Sequence, residues 1–264
     1  MKPGRAAWHI IIKRHYNYKQ LEGLKDIACN VLIRSTAPCW RAPWFLFEDL
    51  NLPCTYDLLL RPVAETHPIN HIIPYQHHSE TFDFSFTDHR HHKENVHILV
   101  ERIFDLLRGG REAIRNIKRK TLGFMSNLLC ASIVNSEIKW ESIILSEDLS
   151  SPSECINRLL SINLVEAVVL LNNLGGRPDI IALTHDERRP FYFVEVKSRR
   201  ERHSTVTLTG KQRARLSRCA DITLLGVIDY LTDGISFTMK AVKMSHVLLN
   251  LVNKALRSAC MTSS

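Results

Sequence analysis

Three residues near the middle of the C-terminal half have the types and spacing of a hydrolytic site. Asp179 follows a turn-like Gly175-Gly176-Arg177-Pro178 and opens an apolar run, Ile180-Ile181-Ala182-Leu183. Glu195 and Lys197 stand two apart at the end of a second run, Phe191-Tyr192-Phe193-Val194-Glu195-Val196-Lys197. Side chains alternate across a strand, so Phe191, Phe193, Glu195 and Lys197 share one face and Tyr192, Val194 and Val196 share the other. Both faces begin apolar, as in a strand covered on both sides. A charge in such a setting is costly unless it is paired or binds a metal. If the two runs pair as a hairpin around residues 184–190, Asp179 and Glu195 converge at one end of a sheet. Two carboxylates meeting there repel, and a divalent cation between them relieves the repulsion. Hard oxygen donors suit Mg²⁺ or Mn²⁺, which neutralises a phosphate oxygen and acidifies a bound water. An ammonium group at Lys197 would orient that water or stabilise charge in the transition state.

These residues, Pro178-Asp179 followed by Glu195-Val196-Lys197, resemble the PD-(D/E)xK nuclease superfamily, and within it Holliday-junction resolvases and VRR-type nucleases. Lys211-Gln212, in a basic helical pattern after the second run, is similar to the K-Q of the VRR type. The resemblance covers roughly residues 150–230. It implies an α/β fold with a restriction-endonuclease-like core, a mixed central sheet flanked by helices, here preceded by an N-terminal α+β extension. It also implies catalytic roles for Asp179, Glu195, Lys197 and Gln212. Metal ligation would come from Asp179, Glu195, the Val196 carbonyl and an acid on the preceding helix, a place held by Glu154, with Glu166 as competitor.

The elements that must position these groups follow from local patterns. Residues 8–12 read as a strand, and 18–34 as a helix with Leu21, Leu24, Ile27, Ala28 and Val31 on one side. A helix over about 94–108 stops at Gly109-Gly110, and a second is expected from 111 to about 133. Residues 137–145 alternate weakly as a strand. Ser151, Pro152 and Glu154 mark a helix start. The run Leu164–Leu171 reads as the first core strand. A basic helix is expected over 209–219, a buried strand over 222–230, and a turn at Thr232-Asp233-Gly234 into another strand. An amphipathic helix carrying Val247, Leu248, Leu251, Val252 and Leu256 closes the chain, as a cap on the sheet or a homodimer contact. The expected organisation is a histidine-rich N-terminal domain over 1–110 and a nuclease-like domain over 111–264 that includes a basic leading helix.

Composition narrows the partner. A net charge of +8 and a pI near 9.2 favour a polyanion. Arg177, Arg199, Arg200, Lys211, Arg115 and Arg119 are the candidate nucleic-acid contacts. Seven cysteines, an odd number without a C-x-x-C, argue against a disulfide framework. With no long apolar run and no signal-peptide pattern, an intracellular protein away from membranes is expected, in the cytoplasm, nucleus or nucleoid. Two segments leave alternatives open. His67, His71, His77, His78, His89, His91, His92 and His97 fit a structural zinc site or a polar loop that titrates near neutral pH. Trp40, Trp44, Phe45, Phe47 and Tyr56 fit a packed irregular segment or a base-stacking platform. The expected activity is metal-dependent hydrolysis of DNA by a structure-specific endonuclease. The alternatives are an RNA endonuclease of the same fold, and a non-catalytic nucleic-acid-binding or scaffold protein.

Overall fold

The computed structural model describes residues 8–36, 39–40, 46, 50, 84–85, 89–138, 140, 142–145, 156, 159–174, 177–185, 191–200 and 206–242. Their fold is α/β, a mixed six-stranded open sheet flanked by helices. In chain order the elements are β1 (His9–Asn17), α1 (Tyr18–Glu22), α2 (Lys25–Thr36), β2 (Cys39–Trp40), β3 (Phe84–Ser85), α3 (His89–Arg108), α4 (Gly110–Arg115), α5 (Arg119–Ile138), β4 (Ser142–Leu145), α6 (Val165–Leu174), β5 (Ile180–Leu183), β6 (Phe191–Arg199), α7 (Gly210–Arg218), β7 (Thr223–Tyr230) and β8 (Gly234–Ala241). The main sheet has the order β1-β8-β7-β6-β5-β4. β6 and β7 run parallel, and every other neighbouring pair is antiparallel. The parallel step requires a crossover, and α7 provides it. β2 and β3 form a separate two-stranded ribbon.

The hairpin expected around residues 184–190 is present, with Ile180 opposite Val194 and Leu183 opposite Phe191. Alternation then assigns the two faces of the sheet. Ile180, Ala182, Tyr192, Val194 and Val196 point into the larger core, together with Leu224, Ile228, Phe237 and Met239. That core is completed by α2, α3 and α5, whose buried positions include Ala28, Leu32, Leu99, Ile103, Met125 and Leu129. Ile181, Phe191 and Phe193 point the other way, into a smaller cluster with Leu164, Ala167, Val168 and Leu171. β1 pairs with β8 along its length, and the larger core runs from Ile12 to Ala241. Among the described residues, β1 thus shares the sheet and the larger core with strands of the C-terminal half.

One element is the opposite of its expectation. Residues 164–171 are not a strand: Val165–Leu174 is the helix α6. A run apolar at seven of its eight positions does not distinguish a buried strand from a helix by period. The burial pattern does, since Leu164, Ala167, Val168 and Leu171 are buried at helical spacing while Val165 and Val169 are exposed. The strand that precedes β5 in the chain and pairs with it is instead β4, within the weakly alternating stretch 137–145. Two helices are also shorter than expected. The segment 18–34 divides at Gly23 into α1 and α2, and residues 111–133 divide around Asn116 into α4 and α5. The basic residues Arg111, Arg115, Lys118 and Arg119 are thus not one continuous helical stripe. β1 is longer than expected and ends at Asn17, whose side chain caps α1 through a reciprocal bond with Gln20. At the turn into β8, Gly234 lies at φ 154°, and an added Cβ would fall 2.0 Å from the Tyr16 carbonyl oxygen, so only glycine fits there. The closing helix expected at 247–256 lies outside the described residues.

Candidate active site at the open end of the central hairpin

β5 and β6 bring the two carboxylates together. One step beyond the last paired residues, Ile180 and Val194, stand Asp179 and Glu195. Asp179 is half-buried, and its Oδ2 accepts a hydrogen bond from the Val196 backbone N–H at 2.6 Å. That bond ties the start of β5 to the middle of β6 and fixes the Asp179 carboxylate beside Glu195. Alternation along β6 then places Phe193, Glu195, Lys197 and Arg199 on one face. Burial falls steadily along this ladder: residues 191–196 are buried and residues 197–200 are half-buried. The apolar cluster therefore seals one end of the site, and the other end, with Lys197, opens toward solvent.

Glu195 is fully buried, and α7 supplies its partners. α7 begins with Thr209 as N-cap, and Gln212 closes a capping box with it. The Gln212 Oε1 accepts from the Thr209 N–H at 3.0 Å, and the Gln212 N–H donates to the Thr209 hydroxyl at 3.3 Å. With its oxygen engaged by the cap, the Gln212 amide aims Nε2 at Glu195 Oε2, 2.9 Å away. One turn further on, the Arg215 guanidinium pairs through Nη1 with Glu195 Oε1. Arg215 is 1% exposed and lies over the Phe193 ring, 5.9 Å from its centroid, a distance at which a guanidinium is attracted by the ring face. Burial pushes the Arg215 guanidinium below its ordinary range, and the Asp179 carboxylate is the strongest influence pulling it back. Arg215 thus feels both carboxylates.

Arg215 is the site residue that the sequence reading missed. A signal for it existed. Gln212 and Arg215 are three apart and share a helix face, and Leu216 and Cys219 are the buried apolar positions beside them. An inward face running 212, 215, 216 and 219 makes Arg215 a buried arginine, and a buried arginine needs a carboxylate. Beneath the sheet, the fully buried Cys130 of α5 is held as a neutral thiol, first by burial and then by the Asp179 charge.

The remaining candidates separate into three groups. Arg199 does not extend outward: it forms a two-pronged pair with Asp229, its register partner on β7, with Nη2 2.6 Å from Oδ2. Hydrogen bonding to Asp229 raises the Arg199 pKa against a smaller opposing effect of burial. Arg200 also turns inward, donating to the Arg115 carbonyl at 3.0 Å and to the Ile117 carbonyl, and so docks the end of α4 on β6. Lys211, Arg115 and Arg119 are exposed, and Arg177 is half-buried two residues before Asp179. Glu166 is exposed in the first turn of α6, and Glu154 lies outside the described residues.

Of the histidines, His97 is exposed on α3, with Nδ1 3.2 Å from the Cys29 sulfur of α2. His67, His71, His77 and His78, and the side chains of His89, His91 and His92, lie outside the described residues. So do the side chains of Trp40, Trp44, Phe45, Phe47 and Tyr56. Among the described residues no group of three or more His, Cys, Asp or Glu side chains is gathered for a metal ion. No described helix is long and apolar enough to cross a membrane. Compared with known proteins, the chain matches no family model, no curated protein and no solved structure.

Proposed function

We propose that the chain is a metal-dependent nuclease that hydrolyses phosphodiester bonds in DNA, acting as a structure-specific endonuclease on a restriction-endonuclease-like core. The observation that carries this reading is the arrangement of Asp179 across the hairpin from Glu195, with Lys197 next on the same face at the open end. An antiparallel hairpin followed by a crossover helix and a parallel strand, as in β5, β6, α7 and β7, suits the same reading. The basic balance of the chain, +8, supports a nucleic-acid substrate.

The donor chemistry fits a hard divalent cation. Asp179 and Glu195 are adjacent carboxylates: one Asp179 oxygen accepts from the Val196 N–H, one Glu195 oxygen accepts from Gln212, and the other Glu195 oxygen is ion-paired with Arg215. Asp179, Glu195 and the Val196 carbonyl would hold Mg²⁺ or Mn²⁺. When bound, the cation would neutralise a phosphate oxygen and lower the pKa of a water. The chain's own groups do the rest. The Val196 N–H holds the Asp179 carboxylate in place, and Gln212 and Arg215 fix the rotamer of Glu195. The Phe191–Phe193 cluster keeps water from the inner side. Lys197, half-buried at the mouth, orients the attacking water and offsets the charge that develops on the phosphate.

The buried and twice-partnered state of Glu195 favours one other reading, a nucleic-acid-binding protein that keeps a nuclease-like fold without cleavage. A labelled panel separates the two: single-stranded DNA, duplex, flap, four-way junction and single-stranded RNA, each with Mg²⁺, Mn²⁺ or EDTA. The nuclease reading expects cutting that requires the metal, is abolished in Asp179→Ala, and falls by about 10²–10³-fold in Lys197→Ala, as for loss of a single preorganised charge donor. Tight binding to one substrate with no cutting of any would instead establish the binding protein.

A further inference from the structure

Arg215 has no part in the site as the sequence describes it, yet it is the group closest to a cation's role. It is one of the largest fully buried side chains among the described residues. It pairs with Glu195 Oε1, and the Asp179 charge acts on it as well. Two neighbouring carboxylates are stabilised by a positive charge close by, and the Arg215 guanidinium, paired with one of them, is such a charge. A divalent ion drawn to the same carboxylates would meet that charge already in place. Like charges at one site compete, and two groups that compete for one partner weaken each other's binding reciprocally.

Resting on the nuclease reading above, we propose that Arg215 is a resident counter-cation of the Asp179–Glu195 pair: it holds Glu195 in position before the metal arrives and yields part of that hold when the metal binds. Two features support the proposal. Gln212, on the same helix, keeps the other Glu195 oxygen, so the carboxylate stays aligned while Arg215 shifts. The Phe193 face offers the guanidinium a second favourable contact from which it need not withdraw. Arg215 is on this account a positioning residue, acting on the substrate only through Glu195.

The test measures Mn²⁺ affinity of the full chain by titration calorimetry, with thermal midpoints recorded with and without Mn²⁺. The variants are Arg215→Met, which removes both charge and donors, and Arg215→Gln, which removes the charge but keeps a donor for Glu195. The second keeps the comparison available if the first fails to fold. With the competing charge gone, Arg215→Gln binds Mn²⁺ about 10-fold more tightly than the wild type, a coupling of ordinary size. It also gains more in thermal midpoint on adding Mn²⁺. Unchanged or weaker Mn²⁺ affinity in Arg215→Gln, with metal-dependent cleavage intact in the wild type, overturns the role of Arg215 and leaves the nuclease reading standing. Absence of Mn²⁺ binding in both proteins, with no cleavage by the wild type, overturns both.

Discussion

Two arginine–carboxylate pairs are built on one face of β6, four residues apart, and they differ in almost every physical respect. Arg199 meets Asp229 directly across the parallel β6–β7 register, with side chains 27% and 12% exposed. Arg215 reaches Glu195 from a separate helix, with side chains 1% and 0% exposed. The first pair is a local consequence of register and is only partly withdrawn from water, with Arg199 half-buried and Asp229 buried. The second was assembled by the crossover and is withdrawn from water. An exposed ion pair contributes little because solvent already satisfies both charges, whereas breaking a buried one strands a charge in a poor medium. The difference also separates their roles. Arg199 ties two strands at the mouth of the site, and Arg215 sets the charge and orientation of a candidate catalytic carboxylate.

The strongest way to break this comparison is to remove the carboxylate of the buried pair. Glu195→Ala leaves Arg215 in the core without that partner and is expected to cost about 3–5 kcal/mol of stability, read from urea unfolding. A loss no larger than that of an exposed pair would mean that α7 relaxes to let the guanidinium reach water, and the contrast between the two pairs would vanish.

A smaller effect is expected at the mouth. Arg199→Ala removes a partly exposed pair and should cost about 0.2–1 kcal/mol, less at high salt. Equilibrium unfolding at two ionic strengths checks both the size and the salt dependence. A cost of several kcal/mol, insensitive to salt, would place Arg199 with Arg215 as a core element.

The smallest effect isolates burial from pairing. Cys29 lies on α2 beside His97, and burial, followed by the nearby Asp26 and Glu101 charges, pushes its thiol up to about 11. A folded-state pKa above the ordinary 9.0 means that the native state holds the proton more tightly. Its contribution to stability is then complete below pH 9.0 and is lost as the pH climbs toward about 11. Alkylation of Cys29 in the native chain, followed by peptide mapping, should accordingly be slow at neutral pH and accelerate through this window. Rapid reaction at neutral pH would show that His97, rather than burial, governs the thiol.

The elements closest to the site were the most legible. The β5–β6 hairpin follows from two apolar runs separated by polar and proline residues, and the period of two assigns Glu195 and Lys197 to one face before any tertiary information. The basic helix expected over 209–219 is α7, and the structure adds the capping box of Thr209 and Gln212. The strand at 164–171 was misread because an eight-residue run with seven apolar positions shows no clear period, and only the packing of the smaller cluster decides that it is helical. Arg199 and Arg200 read as phosphate contacts because arginine in a sequence shows its charge but not its direction. The structure turns one onto Asp229 and the other onto the carbonyls at the end of α4.

The sequence by itself determined an α/β chain with a net positive charge, one strand opened by an acid, one carrying an acid–base pair at its end, and a basic helix after them. Those properties reside in local spacing and side-chain chemistry, which no fold can alter. What only the tertiary structure decided is which charges meet. Glu195 and Arg215 are separated by twenty residues, and their contact depends on a parallel crossover that lays α7 across the face of β6. No local period encodes that distance. It arises because the sheet must bury both faces, and the helix that covers the second face carries Arg215 to Glu195.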